Sequence, residues 1–141
     1  MRSVKQCTVL FVNTEPPSSA HPAYLRELGF LVDEVREWPE DDGQLRNYHV
    51  IVIRVREIDD APMLAARLRA KPHFDRRLLI ALVSPDTPLH DRRCAAASGF
   101  DDVLNECCSG RELTARMLRG LRARPELRCA LPPSLNRRPA A

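Results

Sequence analysis

Two opposite charges directly follow segments that are typical of strands in a buried sheet. The run at 51–53 is followed by Arg54, and the run at 102–105 is followed by Glu106. A strand buried on both faces of a parallel sheet reads as a short, continuous apolar run. The carboxyl ends of such strands border the crevice in which open α/β sheets bind their ligands. We therefore expect Arg54 and Glu106 to lie at one functional edge of the protein.

Apolar runs and helix-forming segments alternate along the chain. Strands are predicted at Cys7–Val12, Phe30–Val35, Val50–Val55, Leu78–Val83 and Phe100–Leu104. Apolar residues at helical spacing predict helices at Ala20–Leu28, Ala61–Ala70, Leu89–Ala97 and Glu112–Leu121, and more weakly at Asp41–Tyr48. Gly29 and Gly99 stand where helix C-caps are expected, and Ser109 stands where an N-cap is expected. This alternation predicts an α/β fold in which helices cover both faces of a doubly wound parallel sheet.

Length and composition favour one cytoplasmic domain. The 141 residues fit a domain at 1–124 followed by a Pro/Arg-rich tail or linker at 125–141. The formal charge of +3 is too balanced to indicate a nucleic-acid partner, and neither a signal segment nor a membrane-spanning run is visible.

The cysteines do not follow a known site pattern. Their number is five, which is odd, and their spacing is irregular, so we expect a reducing compartment without a disulfide framework. Cys107-Cys108 lack a zinc-type spacing, and His90 with Cys94 supplies only two ligands on one helix face. We predict no metal site and no cofactor.

Several segments together resemble the receiver domain of bacterial response regulators. The resemblance covers about residues 5–122 and depends on the end of the first strand at 12–16, on Arg54 after the third strand, and on the stretch Gly99-Phe100-Asp101-Asp102 before the fifth. It implies the flavodoxin-like (βα)5 architecture with strand order 2-1-3-4-5. It also implies a role in two-component signalling.

The residues that receivers use for phosphorylation are replaced in this chain. The resemblance implies an acidic metal-binding pair where this chain has Asn13 and Thr14, with Glu15 behind them, and a phosphoacceptor Asp where it has Arg54. It also implies a Ser or Thr where the chain has Val83, with Ser84 behind it, and a Lys where it has Glu106. Phosphoryl transfer needs an anionic oxygen nucleophile and a divalent ion. Arg54 cannot be that nucleophile, and its charge repels Mg²⁺. The aromatic switch residue of the fifth strand is replaced by Val103.

Arg54 and Glu106 admit more than one interpretation. In the order 2-1-3-4-5 their strands are two positions apart, roughly 9–10 Å between axes, which the two side chains can bridge. An ion pair with Asn13 or Ser84 nearby would reverse the usual Asp/Lys polarity and hold the switch in one state. The alternatives are drift in an unused pocket, or a small-anion site that uses the guanidinium groups of Arg54 and Arg56.

These observations predict a pseudo-receiver that acts as a phosphorylation-independent protein-interaction module and not as an enzyme. We expect a kinase, an effector or a second copy to bind the face formed by the last two helices and the strand between them. This face would include Val103, Arg111, Arg116 and Arg119, and Leu127, Leu131 and Leu135 of the tail would extend it. The alternative is residual phosphotransfer through Glu15, Asp59 or Asp60.

Overall fold

The chain forms a five-stranded parallel sheet. The structure is a computed structural model and describes residues 5–13, 20–37, 45, 47–70 and 77–136. The strands are β1 Thr8–Val12, β2 Leu31–Val35, β3 Val50–Arg54, β4 Leu78–Val83 and β5 Asp102–Asn105. Their order is β2-β1-β3-β4-β5, and every pairing is parallel. The predicted flavodoxin-like fold class is confirmed.

Four α-helices connect and cover the strands within the described residues. They are α1 Ala20–Leu28, α2 Ala61–Arg69, α3 Leu89–Ala97 and α4 Gly110–Arg122. A 3₁₀ helix at Ile58–Asp60 precedes α2. The weak helix predicted at Asp41–Tyr48 falls largely outside the described residues.

The predicted helix ends follow local backbone chemistry. Gly29 and Gly99 have φ angles of +105° and +134°, which residues with a Cβ rarely adopt. The Ser109 hydroxyl accepts a 3.0 Å hydrogen bond from the backbone N–H of Glu112 and caps α4.

Two apolar layers lie on opposite faces of the sheet. One layer joins β-strand residues such as Phe11 and Ile80 to α1 and α4. The other joins residues such as Ile53 and Ala81 to α2 and α3. Because β3 and β4 are covered on both faces, nearly all their residues are buried. The central strands are thus packed on both faces, and their carboxyl ends carry the side chains of the candidate site.

The segment after α4 packs against the domain as far as the structure describes it. Ala130 forms an isolated parallel bridge with Gln6, and a 3₁₀ helix follows at Pro133–Asn136. Leu127 is buried in the layer under α1 and α4, and Leu131 and Leu135 pack against the same layer. Leu127 is therefore not available to extend a docking face, and that expectation stays a prediction for the partly buried Leu131 and Leu135. The boundary at residue 124 stays a prediction.

Among the described residues, no helix has both the length and the apolar character that a membrane crossing needs. The longest described helix, α4, has 13 residues.

Candidate functional site: the carboxyl edge of the sheet

The chain leaves β1 through an unusual backbone conformation at Asn13. Its φ angle is +66°, in the left-handed region that Asn tolerates better than most residues with a Cβ. The backbone N–H of Asn13 donates to Val35 O at 3.0 Å. The side-chain amide donates to the backbone carbonyl of Arg54 at 3.1 Å. Asn13 therefore ties the ends of β1, β2 and β3 together.

Arg54 and Glu106 form the ion pair that the strand order predicts. The Nε of Arg54 lies 2.9 Å from Oε2 of Glu106, and the two side chains are 34% and 25% exposed. Arg54 ends β3, and Glu106 follows β5 and donates its backbone N–H to Val83 O at 2.7 Å. The pair consequently spans the carboxyl end of β4.

The remaining predicted pocket residues divide into those near the pair and those outside the described residues. Val83 is buried, and the Ser84 hydroxyl accepts a 3.3 Å hydrogen bond from the backbone N–H of Asp86. Of the two expected polar neighbours, only Asn13 shows a hydrogen bond to either partner, and it contacts the backbone of Arg54. Thr14 and Glu15 lie outside the described residues.

Among the described residues, β3 itself ends in a guanidinium, and the carboxylate beside that end is Glu106, which is paired with Arg54. The nearest acidic residues along the chain after Arg54 are Glu57, Asp59 and Asp60, which are exposed in the connection to α2. The guanidinium at the strand end is already engaged by a carboxylate. Within the part of the chain that the structure describes, the end of β3 thus carries a paired guanidinium in place of a carboxylate of its own.

The acidic residue before β5, Asp101, organises the side of the sheet at which the strands begin. Asp101 accepts hydrogen bonds from Arg69 at 2.9 Å and from the backbone N–H of Leu79 at 2.7 Å. The same carboxylate pairs with Arg124. Asp101 thus links α2, β4 and the chain just after α4, which gives the receiver-like sequence stretch a structural role.

The predicted interaction face is formed by α3, β5 and α4. Asp102 lies 3.5 Å from Arg116 and 3.6 Å from Arg119, measured between charged side-chain atoms. Arg111 is exposed, and Val103 is partly buried against the layer under α2 and α3. Asp102 therefore neutralises part of the positive charge of α4, whereas Arg111 adds positive charge to the same face.

Cys107-Cys108 have a histidine neighbour that the sequence does not reveal. Nε2 of His21 lies 2.5 Å from the backbone oxygen of Cys108 and 3.8 Å from its sulfur. His21 lies in the first turn of α1 and reaches Cys108 only through the packing of α1 against α4. Burial and the charge of Glu112 raise the pKa of the Cys108 thiol. Cys107 is exposed.

Sequence reasoning missed a second group of possible ligands. Cys7, His49 and Cys129 place one ligand atom each within 4.8 Å of the others. A hydrogen bond between the two thiols raises the pKa of Cys7 and lowers that of Cys129. Burial, followed by the charges of Arg77 and Lys5, lowers the pKa of His49. No local spacing signals this group, because its members come from three distant segments.

Comparison with known proteins gives structural neighbours and no relatives by sequence. No protein-family model and no curated protein matches the chain. An atypical orphan response regulator described as having a phosphorylation-independent regulatory mechanism has 22% identity, with 82% of this chain and 95% of that chain covered and a TM-score of 0.64. A response regulator from Desulfuromonas acetoxidans has 20% identity, coverage of 84% and 98%, and a TM-score of 0.69. An orphan response regulator of H. pylori has 18% identity, coverage of 84% and 99%, and a TM-score of 0.64.

The chain has the receiver-domain fold. The neighbours span nearly their whole length in these matches, so the likeness concerns the entire receiver domain and not a fragment. At these identities the likeness establishes architecture alone. The function of the chain must be argued from its own residues.

Proposed function

We propose that this protein is a pseudo-receiver, a cytoplasmic protein-interaction module of two-component-type signalling that works without phosphorylation of its sheet edge. The observation that carries the proposal is the ion pair between Arg54 and Glu106. It stands where the resemblance places an acceptor carboxylate and a lysine, with the two charges reversed.

The charges explain why this edge would not catalyse phosphoryl transfer. A guanidinium is not an oxygen nucleophile, and it is always charged in proteins. In this structure its Nε also donates to a carboxylate 2.9 Å away, and that negative charge opposes an incoming phosphate. The same charge opposes the small-anion alternative at Arg54.

The magnesium ion that receivers use does not fit the described residues. Mg²⁺ prefers carboxylate and water ligands. Asn13 offers an amide in place of a carboxylate, and that amide's nitrogen is bonded to the carbonyl of Arg54. The guanidinium beside it adds a positive charge that opposes the binding of a cation.

The ion pair would instead fix one state of the sheet edge. The resemblance implies that, in a receiver, phosphorylation reorganises this edge and the distant docking face together. Here the ends of β1 and β3 are joined by Asn13, and the ends of β3 and β5 are joined by Arg54 and Glu106. Such links would hold one conformation permanently, and a partner would recognise that conformation without phosphorylation.

The partner would bind at the face of α3, β5 and α4. This face carries the exposed Arg111 and the incompletely compensated Arg116 and Arg119 beside Asp102. Its chemistry suits a signalling protein, a kinase or effector, that presents acidic side chains, and self-association is the other mode. Arg111→Glu and Arg119→Glu should weaken partner capture and any dimer in light scattering, whereas Arg67→Glu on the opposite helix α2 should not.

Beryllofluoride with Mg²⁺ tests the proposal without a covalent step. We expect equal melting temperatures and superimposable amide NMR spectra with and without the mixture, because β3 ends in Arg54 and the carboxylate beside it, Glu106, is already paired. A receiver that retains its acceptor Asp serves as the positive control. A Mg²⁺-dependent rise in melting temperature would overturn the pseudo-receiver reading, and shifts confined to Asp59 and Asp60 would favour residual phosphotransfer instead.

A further inference from the structure

Three segments of the chain bring two thiols and one imidazole together at the amino ends of the strands, on the side of the sheet opposite the ion pair. Cys7 directly precedes β1, His49 directly precedes β3, and Cys129 lies in the segment after α4. One ligand atom of each residue lies within 4.8 Å of the other two. This group shares no residue with the proposed signalling function and stands independently of it.

Backbone hydrogen bonds fix the positions of the two cysteines. The N–H of Cys7 donates to Ala130 O at 2.9 Å, and the N–H of Ala130 donates to Lys5 O at 2.7 Å. Leu127, two residues before Cys129, is only 6% exposed. The segment that carries Cys129 is therefore docked on both sides of this residue.

The imidazole is held by its neighbour across the sheet. The backbone N–H of His49 donates to Thr8 O at 3.0 Å. The backbone N–H of Thr8 donates to Nδ1 of His49 at 3.1 Å, and the Thr8 hydroxyl oxygen lies 3.0 Å from the same nitrogen. These contacts fix the orientation of the ring.

We propose that Cys7, His49 and Cys129 form a binding site for a borderline-soft divalent ion, of which Zn²⁺ is the representative. Two sulfurs and one nitrogen are the donor set that zinc prefers, and the ion is d¹⁰ and tolerates a tetrahedral arrangement. With Zn–S of about 2.3 Å and Zn–N of about 2.0 Å, tetrahedral ligand atoms lie about 3.5–3.8 Å apart. The observed limit of 4.8 Å requires each pair to close by at most about 1.3 Å.

The surrounding charges are compatible with such an ion when both thiols are deprotonated. Arg77 and Lys5 act on His49 as positive charges. A dication with two thiolates is neutral as a unit, so these cations would not repel the complex. Three protein ligands leave the fourth tetrahedral position to water.

The ion would fasten the segment after α4 to the start of the sheet. The ligands are separated by 42 and 80 residues along the chain, because they occupy positions 7, 49 and 129. Cross-links that close long loops remove the most entropy from the unfolded chain. The site would thus set how firmly residues 125–136 stay docked, independently of the ion pair at the other edge.

Cobalt titration of the reduced, metal-free chain tests the site. Intact mass first confirms that all five thiols are reduced. Co²⁺ should then give one equivalent of a tetrahedral spectrum with thiolate-to-cobalt charge-transfer bands, and Zn²⁺ should displace it. Cys129→Ser and His49→Asn should weaken Zn²⁺ binding by more than about 100-fold, above the effect of altering a second-shell group. His49→Asn keeps an acceptor near the nitrogen of Thr8.

Matched controls use the cysteines outside the group. Cys94→Ser and Cys107→Ser change exposed thiols, and both variants should bind Zn²⁺ like the wild type. Far- and near-ultraviolet circular dichroism verifies that each variant is folded. The wild-type cobalt spectrum stands without any variant: absence of charge-transfer bands overturns the proposal. Unchanged affinity in folded Cys129→Ser, or loss of binding in Cys94→Ser, overturns it as well.

Discussion

Breaking the ion pair between Arg54 and Glu106 should cost an intermediate amount of stability, and the two groups should be coupled. Removing one partner of a fully buried pair costs about 3–5 kcal/mol, whereas an exposed pair contributes under about 1 kcal/mol. Unit charges about 4 Å apart interact by roughly 1 kcal/mol in water and roughly 4 kcal/mol at an effective dielectric constant of 20.

The geometry places this pair between those limits. Its side chains are 34% and 25% exposed, so water screens the contact but does not surround it. We expect a coupling free energy of about 1–2 kcal/mol after discounting for that screening. The contact from Asn13 reaches the backbone of Arg54 and should survive in every variant.

A double-mutant cycle in urea measures the coupling. Arg54→Met, Glu106→Gln and the double variant are compared with the wild type at low salt, and an unchanged m value confirms comparable unfolding. The control cycle uses Arg26 and Glu34, whose 3.1 Å pair is more exposed at 46% and 30%, and should give a coupling below about 1 kcal/mol. Losses at Arg54 and Glu106 that add within about 0.5 kcal/mol would refute the reasoning and favour drift.

Four further outcomes are expected. Zn²⁺ at about 100 times its dissociation constant should stabilise the fold by about 2.7 kcal/mol and raise the melting temperature by about 5–10 °C, and a chelator should reverse the rise; no rise in calorimetry would contradict this. Asp101→Ala should cost about 2–3 kcal/mol in urea unfolding, because two arginines and one backbone N–H lose their acceptor; a loss below about 0.5 kcal/mol would contradict the network. Gly120→Ala should cost about 1–3 kcal/mol, because the new Cβ would lie 2.5 Å from Cδ1 of the buried Leu78, and an unchanged stability would show that this packing yields. At neutral pH iodoacetamide should modify Cys107 faster than Cys108, whose raised pKa keeps it a thiol and whose rate should climb as the pH approaches that pKa; peptide mass mapping with equal rates would contradict this.

The sequence contains enough local information to predict the elements and their order. The strand at Leu78–Val83 and the helices at Ala20–Leu28 and Leu89–Ala97 have the predicted bounds. Continuous apolar runs and helical spacing are properties of neighbouring residues, so no tertiary knowledge is needed to find them. The receiver-like order then placed Arg54 within reach of Glu106.

Contacts that depend on distant segments could not be predicted in the same way. Cys7 meets Cys129 because the chain after α4 returns to the start of β1, and a Pro/Arg-rich composition gives no signal for that return. The leucines of this segment look like an exposed apolar stripe in sequence, but Leu127 is buried in the core layer under α1 and α4, and Leu131 and Leu135 pack against that layer. His21 likewise reaches Cys108 only across packed helices.

The most direct test of the central claim is the intact mass of the chain after incubation with a small phosphoryl donor and Mg²⁺. A response regulator that retains its acceptor Asp is treated in parallel to show that the reagent is active. The account predicts an unchanged mass for this chain, because β3 ends in Arg54, which is paired with Glu106, and not in a carboxylate that could accept the group. A gain of one phosphoryl group per chain would contradict it.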